Sequence, residues 1–184
     1  YDICSTAARG GHLQVLQWLR QQGKHWTMDT AWNAARYGGS LPLLKWATEN
    51  ECPWDSNYCR QGAVRGGFPE ILEWILDRGG VLANGAMAEA TYRGHVALLQ
   101  GLHARGYPGD PAKTTRLAAG HGHLEVLVWA TKNGATLDTS TTYRAARYNR
   151  YEVLKWALEN GGPWNCSLYC TRPVLCGFDP KIRA

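Results

Sequence analysis

Apolar and polar positions along the chain follow a helical rhythm. In "GHLQVLQWLRQQG" (11–23) the apolar residues Leu13, Val15, Leu16, Trp18 and Leu19 fall at i, i+2, i+3, i+5 and i+6, a broad helical face. The pattern returns in "LPLLKWATEN" (41–50), "PEILEWILDRG" (69–79), "VALLQGLHARG" (96–106), "GHLEVLVWATKNG" (122–134) and "YEVLKWALENG" (151–161). One slot holds Trp18, Trp46, Trp74, Gly101, Trp129 and Trp156, so the spacings are 28, 28, 27, 28 and 27. Six units in register define a repeat protein.

Each unit has the same grammar. An Ala-containing stretch comes first, as in "CSTAARGG", "WNAARYGG", "QGAVRGG", "AEATYRG", "RLAAGHG" and "YRAARYN", and its small residues permit close helix packing. Glycines usually break that helix before the second run begins. A turn follows: "GKHWTM", "ECPWDS", "GGVLAN", "GYPGDP", "GATLDT", "GGPWNC". The unit is helix, turn, helix, loop. A hairpin this short cannot bury its own apolar face, so neighbours must stack into an all-α solenoid. The expected repeats are 1–26, 27–54, 55–82, 83–109, 110–137 and 138–164, within one repeat domain spanning 1–184. Residues 165–184 start like a seventh first helix but meet Pro173, which makes them a degenerate or partial cap or the start of a tail.

The phrase from Ala118 to Leu127, "AAGHGHLEVL", resembles the ankyrin repeat, and "CPWD" (52–55) and "GPWN" (162–165) occupy the place of that family's "ADVN" loop. The resemblance covers roughly residues 1 to 170. It implies an ankyrin-like helical-hairpin repeat solenoid. Ankyrin units run to about 33 residues, and these are shorter between the loop and the Ala helix. No unit contains "TPLH". The likeness is therefore to a short, Trp-rich variety with "CPWD" loops, and short or absent β-hairpin fingers are expected.

Two apolar slots repeat: the helix slot of Trp18, and a loop slot holding Trp26, Trp54, Leu82, Gly109, Leu137 and Trp164. Core packing is the favoured reading of both, with ligand stacking the alternative. The fourth unit breaks both slots, at Gly101 and Gly109. Interiors tolerate few voids, so Tyr107, Tyr92 or a neighbouring tryptophan fills the gap, the stack bends, or a cleft accepts a partner.

A second series ends the first helices: Arg9, Arg36 with Tyr37, Arg65, Tyr92 with Arg93, His121, and Arg147 with Tyr148. The ankyrin likeness implies that these positions face the concave groove. Arg and Tyr are enriched at binding hot spots, against the plainer reading of a solvated basic edge. His12, His95 and His123 occupy the family's "GH" position, where the imidazole ties neighbouring loops. That role accounts for one histidine of "GHGH" (120–123) and argues against a metal site.

Composition narrows the rest. The net charge of +5 suits acidic partners but falls short of a dedicated nucleic-acid protein, so nucleic acid is a lesser candidate. No apolar run reaches the ~20 residues of a membrane span. The chain opens at Tyr1 inside a repeat, so a fragment of a longer intracellular, cytoplasmic protein is expected. Cysteines 4, 52, 59, 166, 170 and 176 lack CxxC spacing and read as reduced packing thiols rather than zinc ligands. P-loop, GxSxG and HExxH motifs are absent, and neither cofactor nor metal is expected. The expected function is a non-catalytic protein–protein interaction module, a scaffold binding a partner through its first-helix, concave face. The alternative is a structural subunit bracing a large assembly and touching nucleic acid or an acidic surface.

Overall fold

A computed structural model of the chain describes residues 2–83, 85–107 and 109–164. The segment 165–184, including Cys166, Cys170 and Cys176, lies outside the described residues, so its reading as a cap stays an expectation. Six hairpins follow in order: α1 (Ile3–Arg9) with α2 (Leu13–Gln21), α3 (Met28–Asn33) with α4 (Leu41–Glu49), α5 (Ser56–Gly66) with α6 (Pro69–Asp77), α7 (Ala86–Arg93) with α8 (Val96–Ala104), α9 (Pro111–His121) with α10 (Leu124–Lys132), and α11 (Thr139–Arg147) with α12 (Tyr151–Glu159). A π-helical turn, Ala34–Gly38, continues α3. Among the described residues there is no strand, so the loops between hairpins carry no β-finger there.

The loop residue after the tryptophan slot starts the next first helix. Asp55, Asp110 and Asp138 accept hydrogen bonds from the amides of Tyr58, Lys113 and Thr141 at 2.7, 3.0 and 2.8 Å. Asp2 accepts from the Cys4 amide at 2.9 Å. Each satisfies an otherwise orphaned N–H and sets a negative charge at the positive end of the helix. At α3 the Thr27 amide donates to the Thr30 hydroxyl at 3.3 Å, an uncharged counterpart in the manner of a capping box. The second helices close in a related way. Asn50, Asn133 and Asn160 donate through Nδ2 to the carbonyls of Trp46, Trp129 and Trp156, each at 2.8 Å.

The chain divides into two compact units, 1–89 and 90–184, within α7. In the first, α1 packs on α3 and the π turn, and α5 packs on the π turn and α6. Ala8, Ala34, Ala35 and Ala63 line these close contacts, while Leu16, Leu43, Leu44, Ile71, Leu72 and Ile75 fill the core. Gly66 shows how tight the spacing is: a Cβ there would stand 2.4 Å from the carbonyl oxygen of Arg36. In the second unit α9 packs on α10 and α11, and α10 on α8 and α12. Its core is Leu98, Leu99, Leu102, Val126, Leu127 and Leu154.

In three hairpins the residue capping the second helix reaches back over the preceding hairpin. His123 Nε2 lies 2.8 Å from the Tyr92 carbonyl oxygen. Gly94 leaves room for it: its φ is +79°, and a Cβ would meet His123 Nδ1 at 2.6 Å. Arg150 uses the same register, donating through Nε to the Gly120 carbonyl at 3.2 Å. Phe68 lies against Gly39 in the first unit, where a Cβ would meet its ring at 2.5 Å.

The tryptophans depart from the expectation of core burial. Trp26 is buried at 9% exposure, Trp18 is 57% exposed, and Trp46, Trp54, Trp74, Trp129, Trp156 and Trp164 are half-buried. The helix slot lies on a flank, where a loop ring meets the next hairpin's helix ring. Trp26 meets Trp46 edge-on at 5.6 Å, and Trp54 meets Trp74 at 5.7 Å. Guanidiniums cover what remains open, Arg20 over Trp26 and Arg78 over Trp74, each at 4.2 Å.

Candidate partner-binding face

The ends of the first helices carry most of the residues singled out in the sequence. In the first unit they form a continuous run. The Arg9 guanidinium lies 4.6 Å from the Tyr37 ring centroid, and that of Arg36 lies 4.8 Å from both Trp32 and Tyr37. Trp32 meets Tyr37 edge-on at 5.8 Å and stacks on Tyr58 at 5.2 Å with planes 15° apart. Arg36 and Tyr37 sit on the π turn, whose wider backbone is marked by the Gly39 amide bonding to the Ala34 carbonyl at 3.1 Å. Tyr37 stays 42% exposed and Arg9 is exposed. Arg65 stands apart: its Nε is 3.5 Å from Glu89 Oε1, an ion pair between α5 and the start of α7.

In the second unit Tyr92 and His121 meet with ring centroids 4.2 Å apart, and His121 in turn faces His123 at 6.3 Å. Burial pushes the His121 pKa below its ordinary value, and the charges of His123, Arg150 and Arg144 push in the same direction. Arg147 covers Tyr148 at 5.8 Å and donates to the Tyr143 hydroxyl at 3.3 Å. Tyr92 and Tyr148 are about half exposed, at 49% and 50%, and Arg93 is exposed. Gly101 is half-buried and Gly109 exposed.

A cavity of about 460 Å³ opens in the first unit between α5 and the start of α7. Arg60 lines it and is 8% exposed, a buried guanidinium absent from the sequence-derived site. Its Nη2 donates to Asn57 Oδ1 at 3.1 Å, while its buried Nε has no acceptor among the described residues. Trp32 and Tyr58 were also missed, because they lie earlier in the helix than the Arg and Tyr series.

Thiol chemistry has little foothold. Burial pushes Cys52 to about 11 and Cys59 to about 12, and raises Cys4 too. No group of His, Cys, Asp or Glu among the described residues could hold a metal ion, and no described helix is long and apolar enough to cross a membrane.

No protein-family model matches the sequence, and no curated protein does. The likeness is in three dimensions. The crystal structure of the human ASB11 ankyrin repeat domain superposes with a TM-score of 0.66 at 19% identity, covering 87% of this chain and 84% of that one. The chain has the ankyrin-repeat fold, an all-α array of helical hairpins.

Proposed function

We propose that the chain is a non-catalytic interaction module of the short, Trp-rich ankyrin kind, binding another protein through the exposed ends of its first helices. The run Arg9, Tyr37, Arg36, Trp32 and Tyr58 carries the reading. Stacking restrains these side chains before any partner arrives, so less conformational entropy is lost on binding. Arg and Tyr are the residue types that dominate protein interfaces. The exposed guanidiniums favour a partner with acidic groups. Repeat arrays of this fold generally serve as binding scaffolds rather than catalysts, and the raised thiol pKa values agree with that.

Replacing Arg36 and Tyr37 together, and Arg147 and Tyr148 together, tests the face in each unit. Loss of partner capture with unchanged helicity and melting supports it; unchanged capture in both variants refutes it. A steep log–log salt dependence of binding would instead favour the second reading, an assembly subunit touching nucleic acid.

A further inference from the structure

We propose that the cavity between α5 and the start of α7 is a subsite for one carboxylate of a bound polypeptide, received by Arg60. The inference rests on the reading that the first-helix face meets a protein, and it specifies what that protein must bring. Counting back from the second-helix caps His12, Ser40, Phe68, His95, His123 and Arg150, one register position holds Cys4, Trp32, Arg60, Met87, Thr115 and Thr142. The other hairpins place neutral side chains there; the third places a cation that is 8% exposed.

A buried guanidinium is costly unless paired, and Arg60 donates to the neutral amide of Asn57. The carboxylates on the cavity wall are engaged elsewhere. Asp55 caps α5 through the Tyr58 amide at 2.7 Å, and Glu89 pairs with Arg65. A carboxylate in the cavity supplies the counter-charge that the neutral Asn57 amide does not, in the planar two-oxygen geometry a guanidinium fork matches. Asp55 and Glu89 formally balance Arg60 and Arg65, so charge disfavours a phosphate dianion more than a monoanion. The volume of about 460 Å³ lies in the range of ligand sites and far exceeds the space of one water. Val64 and Ala86 give an aliphatic stem an apolar wall.

The test is a titration of the full, ¹⁵N-labelled chain followed at the Arg60 Nε–Hε resonance. The probes are acetyl-AAEAA-amide, acetyl-AAAAA with a free C-terminus, acetyl-AAQAA-amide and inorganic phosphate. A saturable shift from either carboxylate peptide, at least tenfold tighter than from the glutamine peptide, supports the subsite, and the better of the two identifies a side-chain or C-terminal source. No saturable shift, equal binding of the glutamine peptide, or tighter binding of phosphate overturns it. Arg60→Lys should weaken the favoured peptide at least tenfold; should that variant fail to fold, the titration of the unaltered chain decides. Arg36, Tyr37, Arg147 and Tyr148 are not among the cavity-lining residues, so the face and the subsite fail separately.

Discussion

His103 meets Trp129 edge-on, with ring centroids 5.7 Å apart and planes at 88°. In the first unit the equivalent helix tryptophans are met by loop tryptophans, Trp46 by Trp26 and Trp74 by Trp54. By that register the loop residue opposite Trp129 is Gly109, and the imidazole of α8 supplies the ring contact instead. The hairpin that lost its large side chains at Gly101 and Gly109 thus compensates one of them from its own second helix. The sequence offered Tyr107, Tyr92 or a neighbouring tryptophan as fillers of the gap, a bend of the stack, or a cleft; the ring against Trp129 is that of His103.

Trp26 and Trp46 should be energetically coupled. A double-mutant cycle to Leu, read by urea unfolding, should give about 0.5–1.5 kcal/mol beyond the separate effects, the usual worth of an edge-to-face pair. A coupling of zero would reduce the rings to independent surface groups.

Gly66→Ala should destabilise by about 1–3 kcal/mol despite alanine's better helix propensity, because the added Cβ would press on the Arg36 carbonyl. Equilibrium denaturation measures it. An unchanged midpoint would show that α5 and the π turn can separate freely.

How much of this was legible in the sequence varies with the feature. The tryptophan spacing made the repeat visible, and with it the hairpins, their order and the absence of strands from the described loops. The Arg9, Arg36 and Tyr37 series could be read because it follows the small residues where α1 and α3 end. Burial of the tryptophans could not: an apolar slot does not reveal that it lies on a helix flank with one face open. Arg60 was equally hidden. A lone arginine inside a polar first helix looks solvated until its register is compared with Cys4, Met87, Thr115 and Thr142, which are all buried.

Acid should weaken the second unit through His121. Its folded pKa lies below the ordinary value, so the unfolded chain takes up a proton first as pH falls. The contribution is therefore fully present above the unfolded value of about 6.5 and is lost as pH drops through the folded pKa. Melting temperature followed from pH 8 to pH 5 should fall more in the native chain than in His121→Gln. Parallel curves would remove His121 from the account.

Cys4, Cys52 and Cys59 should resist alkylation at neutral pH, since burial keeps them protonated and covered. Mass mapping after brief iodoacetamide treatment should find them unmodified in the native chain and fully modified in denaturant. Modification of Cys59 in the folded protein would contradict the close packing of α5.

The caps that reach backward, Phe68 over Gly39, His123 to Tyr92 and Arg150 to Gly120, all point the same way along the chain. Each of these three hairpins holds down its predecessor, as a roof tile overlaps the one below it. Such an array has a polarity that its near-identical units conceal. Within the second unit, removing α11 and α12 strips the Arg150 fastening from the Gly120 carbonyl, whereas removing the earlier hairpin leaves no cap of its own behind. Removing the later hairpin of such a pair should therefore loosen the earlier one by more than the reverse removal does.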